Sequence, residues 1–583
     1  MFQAKLGTRC TKLSLERIMK KFVIAFIIIV AAFLRLWGLP HGDPVSDEVY
    51  YAFRAIGMLD FDEADVQTTP LEWYDPSTSS GHVSSAGSPQ AGSPSAPWWT
   101  RLSFHDHPPL VFAIQHFSIQ LFGENNFAYR FPSAVFGIAS VYLLYLIGRR
   151  LFSERAGALA AALLAVTVNH VYISRLAMQE SFVIFFLLLA SYCFLRALEE
   201  QKWFFAAGAA LGLGLLFKYT VFIAAPIFLV YLAFFRRDLF RSKELLGGVF
   251  LAILIASPIF VYNIAMYRAT GHFDFQISHI LGNAPEMWRS APGKDVGTLS
   301  ERLTNFVPRL VNTNSWVFLL VVAASIAAFA LQFARRPMET ARRFGFLAFS
   351  LAFVALLLIG FIGTSFRFLT MLTPFFALAA ACGFDALMYR RRTLGIAAFS
   401  LMLIFEIAYT VNNQLLFYPI GPEPWASSKV KEESFNWGYN ELDAFLRNEF
   451  DGKFPALFLD AKYHFLQDIQ ERAVREAKER GDTPYPALII YAGNFQQAAK
   501  LLILDRFQIY HGWPVIPIQE YVRNRALLGT DYYERAGFRH FYLILAANID
   551  IEPDPFVRTL LEGKEFTSIR NKRGDEVFRV YRW

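Results

Sequence analysis

Apolar residues run in blocks of spanning or near-spanning length at 22–39, 131–148, 156–173, 180–197, 203–217, 219–235, 245–264, 315–333, 344–363, 368–388 and 394–412. Blocks of this length match the thickness of a bilayer core and predict about eleven membrane-spanning helices. The blocks 203–217 and 219–235 are short and meet near Lys218, so a hairpin of two short helices fits them as well as two full crossings. After Asn412 the pattern changes. Short β-like runs at 456–459, 487–491, 541–545 and 577–581 alternate with amphipathic helical patterns at 440–450, 463–479 and 518–528. The expected fold is a multi-pass α-helical membrane region, 1–413, followed by an α/β domain, 414–583. No internal repeat of the kind many transporters carry is evident.

Composition agrees with a lipid environment: of 583 residues, 55% are hydrophobic, 60 are Phe and only 18% are charged. The net charge of +7 does not describe a nucleic-acid stripe, because Lys and Arg gather in clusters between apolar blocks. These clusters lie at 12–21, 149–155, 196–202, 236–243, 335–343 and 390–392. With eleven spans they all fall on one side, the cytoplasm under the positive-inside rule, together with the N-terminus. Arg35 interrupts the first block and no small-residue cleavage site follows, so the first span is expected to remain uncleaved. The opposite, extracytoplasmic side receives a loop at 41–130, a loop at 265–314 and the C-terminal domain. Within the first loop, 76–97 is a Ser/Gly/Pro/Ala linker with no expected catalytic part. Cys10, Cys193 and Cys382 offer neither a disulfide framework nor a zinc ribbon, and small core residues are the reading for them.

The extracytoplasmic segments carry the candidate chemistry. His41-Gly42-Asp43-Pro44-Val45-Ser46-Asp47-Glu48-Val49-Tyr50 sets two adjacent carboxylates at the membrane surface. Asp47 and Glu48 suit a general base for an acceptor hydroxyl, and equally the N-terminus of a helix starting near Val49. His105-Asp106-His107 offers groups that bind divalent metals, although three consecutive residues cannot easily all face one ion, and a polar loop before a helix fits as well. Arg130 opens a span, where it either snorkels or meets an anion. Arg175 and Glu180 flank a tight turn that an ion pair would fix. Lys218 and Arg367 are isolated cations against the positive-inside trend, suited to a phosphate with a long apolar tail or to ordinary headgroups.

Taken in order, the Asp-Glu pair before Tyr50, His107-Pro108-Pro109-Leu110, Arg130-Phe131-Pro132-Ser133, Gly148-Arg149-Arg150-Leu151-Phe152, Ser174-Arg175-Leu176 with Glu180, and Lys218 after a Gly/Leu-rich run resemble the GT-C superfamily. Similarity is greatest to the branch of protein O-mannosyltransferases and aminoarabinose lipid A transferases. It covers about 20–380 and touches Asn436-Trp437-Gly438-Tyr439. The resemblance implies an inverting hexosyl- or pentosyltransferase in a prokaryotic plasma membrane, with a polyprenyl-phosphate monosaccharide as donor and a protein, lipid or glycan as acceptor. It implies Asp47 as catalytic acid-base with Glu48 its partner, Glu180 as the second acidic position, and Arg130, Lys218 and Arg367 on the donor phosphate. His107, with Tyr50 and Arg175 in the matched motifs, falls on the sugar or acceptor side. The second acid is Glu where Asp is more frequent, and the 76–97 insertion is unusual.

The mechanism so implied is single displacement with one carboxylate base, unlike a retaining two-carboxylate site. It requires no cofactor, and a metal near His105, Asp106 and His107 is not part of it. A transporter or lipid flippase also has many spans, but it calls for charges near the bilayer midplane, whereas the informative charges here lie at span mouths.

Overall fold

The computed structural model describes the chain apart from residues 1, 62–66, 76–95, 290–295, 431–436, 460, 494, 496 and 548–554. The expected linker at 76–97 and Asn436 therefore lie wholly or mostly outside the described residues. The chain divides into two compact units: 1–39 with 107–264 and 292–432, and 40–106 with 265–291 and 433–583.

The first unit is helical. Among the described residues, six of its helices are long and apolar enough to cross a membrane: Asn126–Leu151, Glu180–Ala197, Trp316–Arg335, Pro337–Ile362, Phe366–Arg390 and Arg392–Leu415. Two bent pairs raise this to eight if each is one span. The helices Trp203–Phe217 and Tyr219–Phe235 are shorter, as the break at Lys218 suggests.

One bent pair, Glu154–Val166 and Val168–Ser174, turns by 62° at Thr167, which adopts an extended conformation. A broken helix leaves carbonyls without intrahelical donors, and lipid offers none, so the protein must supply them. Arg35, fully buried on the first helix, donates to the carbonyls of Leu164 and Ala165 at 3.2 and 2.9 Å and meets His170 Nδ1 at 2.7 Å. Arg175 returns the arrangement: its Nη1 donates to the carbonyls of Leu34 and Trp37, and its Nη2 to Gly38, at the end of that same first helix. Two arginines that look misplaced among apolar residues thus close each other's helix ends.

Helices Trp203–Phe217 and Lys243–Ile255 approach closely through small residues. A Cβ on Gly208 would lie 1.9 Å from the Gly248 carbonyl oxygen, and one on Gly248 would lie 2.3 Å from that of Phe204. Gly212 meets Ala252 one turn further on, giving a small-residue seam at four-residue spacing on both helices.

The second unit holds the strands: β1 (Lys453–Pro455), β2 (Thr483–Tyr485), β3 (Ala487–Ala492), β4 (Val515–Pro517), β5 (His540–Ala546), β6 (Phe566–Arg570) and β7 (Glu576–Arg582). β1 and β2 pair in parallel, and the others form a mixed sheet in the order β4-β3-β5-β7-β6. β3 lies parallel to β4 and β5, while β7 runs antiparallel to β5 and β6. Both faces of the central strands are covered: Ile489, Tyr542 and Ile544 pack on one side, Leu488, Ile490 and Leu543 on the other. Two-sided burial explains why 487–491 reads as an unbroken apolar run. No strand forms at 456–459, contrary to expectation; the neighbouring strand β1 runs from Lys453 to Pro455, just before it.

Two carboxylates of the 40–106 segment fold into this unit as caps. Helix Tyr439–Phe450 starts after Gly438, which sits at φ 84° and has no side chain to offer its first amides. Asp43, buried, accepts instead from Gly438 N at 3.0 Å and Asn440 N at 2.9 Å. Helix His464–Arg480 likewise lacks a cap from its own Tyr463, and Asp75 accepts from Phe465 N at 2.6 Å while pairing with His464 at 2.8 Å.

Two predictions follow from this packing. Gly208→Leu or Gly248→Leu should lower the thermal unfolding midpoint of detergent-solubilised protein by more than 5 °C or abolish folding, whereas Gly360→Leu, with nothing within 4 Å of its Cβ, should leave it unchanged. For Asp43, burial outweighs the amide donors, with the charge of Glu441 acting in the same direction as burial, and lifts its pKa from 3.8 to about 6. The folded state thus holds this proton more tightly than the unfolded chain, and Asp43 contributes most below pH 3.8 and progressively less as pH rises through 6. The unfolding midpoint of wild type minus that of Asp43→Asn should therefore shift in favour of wild type between pH 7.5 and 5; a flat difference would contradict this.

Candidate functional site

In the first unit, three of the expected residues converge. Glu180 is the first residue of its helix, Lys218 stands in extended conformation where helix Trp203–Phe217 ends, and Arg367 lies in the short helix Phe366–Leu369. Gly363, at φ 85°, with Thr364 and Ser365, separates that short helix from the preceding π-turn Leu358–Ile362. Lys218 Nζ reaches Glu180 Oε1 at 2.7 Å, and Arg367 Nε stands 3.9 Å from the same oxygen. Both cations also sit over the ring of Phe368, at 5.1 and 4.6 Å from its centroid. The Glu180 side chain is 1% exposed, but those of Lys218 and Arg367 are 12% and 22% exposed. Two positive charges around one carboxylate leave a net charge of +1 on the three residues, with the positive groups nearer solvent. Such a cluster is suited to an anion.

Arg175 and Glu180 do not pair with each other in this arrangement: Arg175 takes the carbonyls of the first helix, and Glu180 takes Lys218. Arg130 is buried in the same unit and donates to the Leu39 carbonyl at 3.0 Å, again at the end of the first helix. His107 is half-buried, three residues ahead of helix Leu110–Phe122.

In the second unit, Asp47 occupies the position before helix Glu48–Gly57 without a capping hydrogen bond from its side chain, which instead accepts from Tyr51 Oη at 3.4 Å. Glu48 is buried and turns back to accept from Val45 N at 2.9 Å. Of the two carboxylates, then, Glu48 serves the local backbone and Asp47 stays half-buried at the surface, with Tyr50 half-buried beside it. Ser46, directly before Asp47, holds φ 52°, a left-handed conformation costly for a residue with a Cβ and often found at functional sites.

A third group lies further along the same segment. Asp60, His105 and Asp106 can bring one ligand atom each within 4.8 Å of one another. Those atoms also bond within the protein: His105 Nδ1 to Asp60 at 2.7 Å, and Asp106 to the buried Arg54 at 2.8 Å. The donor set fits a divalent ion in kind, but Arg54 already supplies a positive charge to Asp106. Asp43, Arg54 and Asp60 have no role in the sequence reading. Asp43 stands within the quoted 41–50 motif, but its partners are about four hundred residues away, and Arg54 and Asp60 carry no local pattern.

Residues 106–262 match the Dolichyl-phosphate-mannose-protein mannosyltransferase family. YycA of Bacillus subtilis (strain 168), provisionally named a mannosyltransferase, is 32% identical over 157 residues, 26% of this chain and 23% of that protein. The undecaprenyl phosphate-alpha-4-amino-4-deoxy-L-arabinose arabinosyl transferase of Erwinia tasmaniensis is 27% identical over 193 residues, 32% of this chain and 35% of that one. The chain thus aligns with about a quarter to a third of the length of these relatives. Among solved structures, ArnT of Cupriavidus metallidurans superposes over 96% of this chain and 97% of its own with a TM-score of 0.54 at 13% identity, which shows a shared fold. The apolar helices and the membrane-protein relatives mark this as a membrane protein; its segment 106–262 is similar to the mannosyltransferase family, and its fold is similar to that of ArnT.

Proposed function

We propose that this chain is an inverting membrane glycosyltransferase that moves a monosaccharide from a polyprenyl-phosphate donor to a protein, lipid or glycan acceptor on the extracytoplasmic face of a prokaryotic plasma membrane. The observation that carries the reading is the Glu180, Lys218 and Arg367 cluster, whose net positive charge suits a phosphate. Support comes from the fold: the ArnT structure it resembles, with a TM-score of 0.53, is described as bound to undecaprenyl phosphate. The reading takes the sequence topology of about eleven spans, with the N-terminus cytoplasmic, the membrane region 1–413 and an extracytoplasmic domain 414–583.

In this mechanism Lys218 and Arg367 hold the donor phosphate, with Arg130 as a further phosphate contact, and Glu180 fixes the two cations. Asp47 takes the proton of the acceptor nucleophile, with Glu48 holding its backbone. The nucleophile forms its bond to the anomeric carbon as the bond from that carbon to the phosphate oxygen breaks. The electron pair leaves with polyprenyl phosphate, whose growing charge the cations offset, so the anomeric configuration inverts. His107, Tyr50 and Arg175 are assigned to the sugar and acceptor. No metal enters these steps.

The test is turnover of polyprenyl-phosphate hexoses and pentoses by purified protein in detergent, with product configuration read by NMR. Wild type should release sugar from one donor with inversion, and Asp47→Asn should lower kcat by roughly 10²–10⁴-fold. A product of retained configuration, or an Asp47→Asn variant within twofold of wild type, would contradict the mechanism.

A further inference from the structure

The second unit joins two segments far apart in the chain, and the joints fall on either side of Asp47. On one side, Asp43 is fixed by the amides of Gly438 and Asn440, and Asn440 Nδ2 donates to the His41 carbonyl at 3.2 Å. Gly438 is suited to this role alone: its φ is 84°, and a Cβ there would lie 2.3 Å from the Val577 side chain on β7. On the other side, Tyr510 Oη donates to the Phe53 carbonyl at 2.8 Å, and its ring stands 5.1 Å from that of Phe53. Gly57 makes room for that ring, since a Cβ on Gly57 would meet it at 2.5 Å. The π-turn Leu501–Asp505, a rare geometry that interrupts the helix leading to Tyr510, lies against helix Glu48–Gly57. Between the two joints the backbone is closed by Glu48 on Val45 N and by the left-handed Ser46.

From these contacts we infer that the C-terminal segment is a scaffold that sets the position of Asp47, with Asp43 and Tyr510 as its positioning residues. The inference rests on the reading of Asp47 as the base, and it gives the C-terminal segment a part in the rate of transfer. Asp43 cannot slide without uncapping helix Tyr439–Phe450, and helix Glu48–Gly57 cannot rotate without breaking the Tyr510 bond. Asp47 lies between these fixed points, four residues from Asp43 and six from Phe53. A base must be held to within a fraction of an ångström of the proton it takes, so loosening either joint should reduce kcat and leave donor affinity alone.

The experiment combines hydrogen-deuterium exchange with turnover in the full-length protein, comparing wild type, Asp43→Ala, Asp43→Asn and Tyr510→Phe. Exchange at 44–57 should accelerate in Asp43→Ala and in the milder Tyr510→Phe, while helix Glu180–Ala197 exchanges as in wild type. In turnover, kcat should fall at least about 10-fold in Asp43→Ala and about 3-fold in Tyr510→Phe, with the donor KM within about twofold. Asp43→Asn, which keeps one accepting oxygen, should recover part of the loss. Faster exchange with unchanged kcat would overturn the inference, as would unchanged exchange at 44–57 in both Asp43→Ala and Tyr510→Phe. Should Asp43→Ala fail to fold, Tyr510→Phe decides on the same criteria. If wild type turns over no donor, the functional reading falls by itself, and the exchange measurement alone decides whether Asp43 and Tyr510 fix residues 44–57.

Discussion

A charge withdrawn from water into an apolar helix bundle must be answered by another charge or by backbone dipoles, and the first unit is organised around meeting that demand. Arg35 and Arg175 meet it with the carbonyls at helix ends, each closing an end that lipid would leave unsatisfied. Glu180 meets it with two cations on one carboxylate oxygen. The first solution answers buried cations with carbonyls at helix ends and is structural. In the second, Glu180, Lys218 and Arg367 together carry a net charge of +1 with the cations nearer solvent, and that separates a candidate binding site from a scaffold contact.

The second unit solves a related problem at its helix starts, where carboxylates answer backbone amides. Helix starts at Tyr439 and His464 lack side-chain caps of their own, and carboxylates from the 40–106 segment supply them. An N-terminus completed in this way is worth about 1 kcal/mol per cap, small beside the cores on either face of the sheet. Its effect is one of placement. The first loop and the C-terminal segment form one body, and the motif that begins at His41 takes its geometry from residues beyond 430.

Much of the architecture was legible because spans and buried strands are written in local composition. The runs 131–148 and 180–197 are helices, and 518–528 is a helix with the same bounds. The bend at Thr167 was not legible, because it depends on an arginine 132 positions earlier in the chain that answers the freed carbonyls. β2 and β4 escaped because three residues containing proline show no period. At the candidate site, Glu180, Lys218 and Arg367 stood out as charges at span mouths. The division of labour between Asp47 and Glu48 did not, since adjacent acids before a helix look alike until the backbone shows which one turns back. Asp43 was hidden for the same reason as Thr167: its partners lie at the other end of the chain.

The central claim is that the Glu180, Lys218 and Arg367 cluster receives a lipid-linked phosphate. It is tested most directly by the equilibrium binding of undecaprenyl phosphate to wild type and to the Lys218→Met, Arg367→Met double variant in detergent, with unfolding midpoints measured in parallel. The account predicts saturable binding by wild type that weakens as salt rises, and an affinity at least about 30-fold lower in a folded double variant. Equal affinity in the two proteins, with both folded, would contradict it.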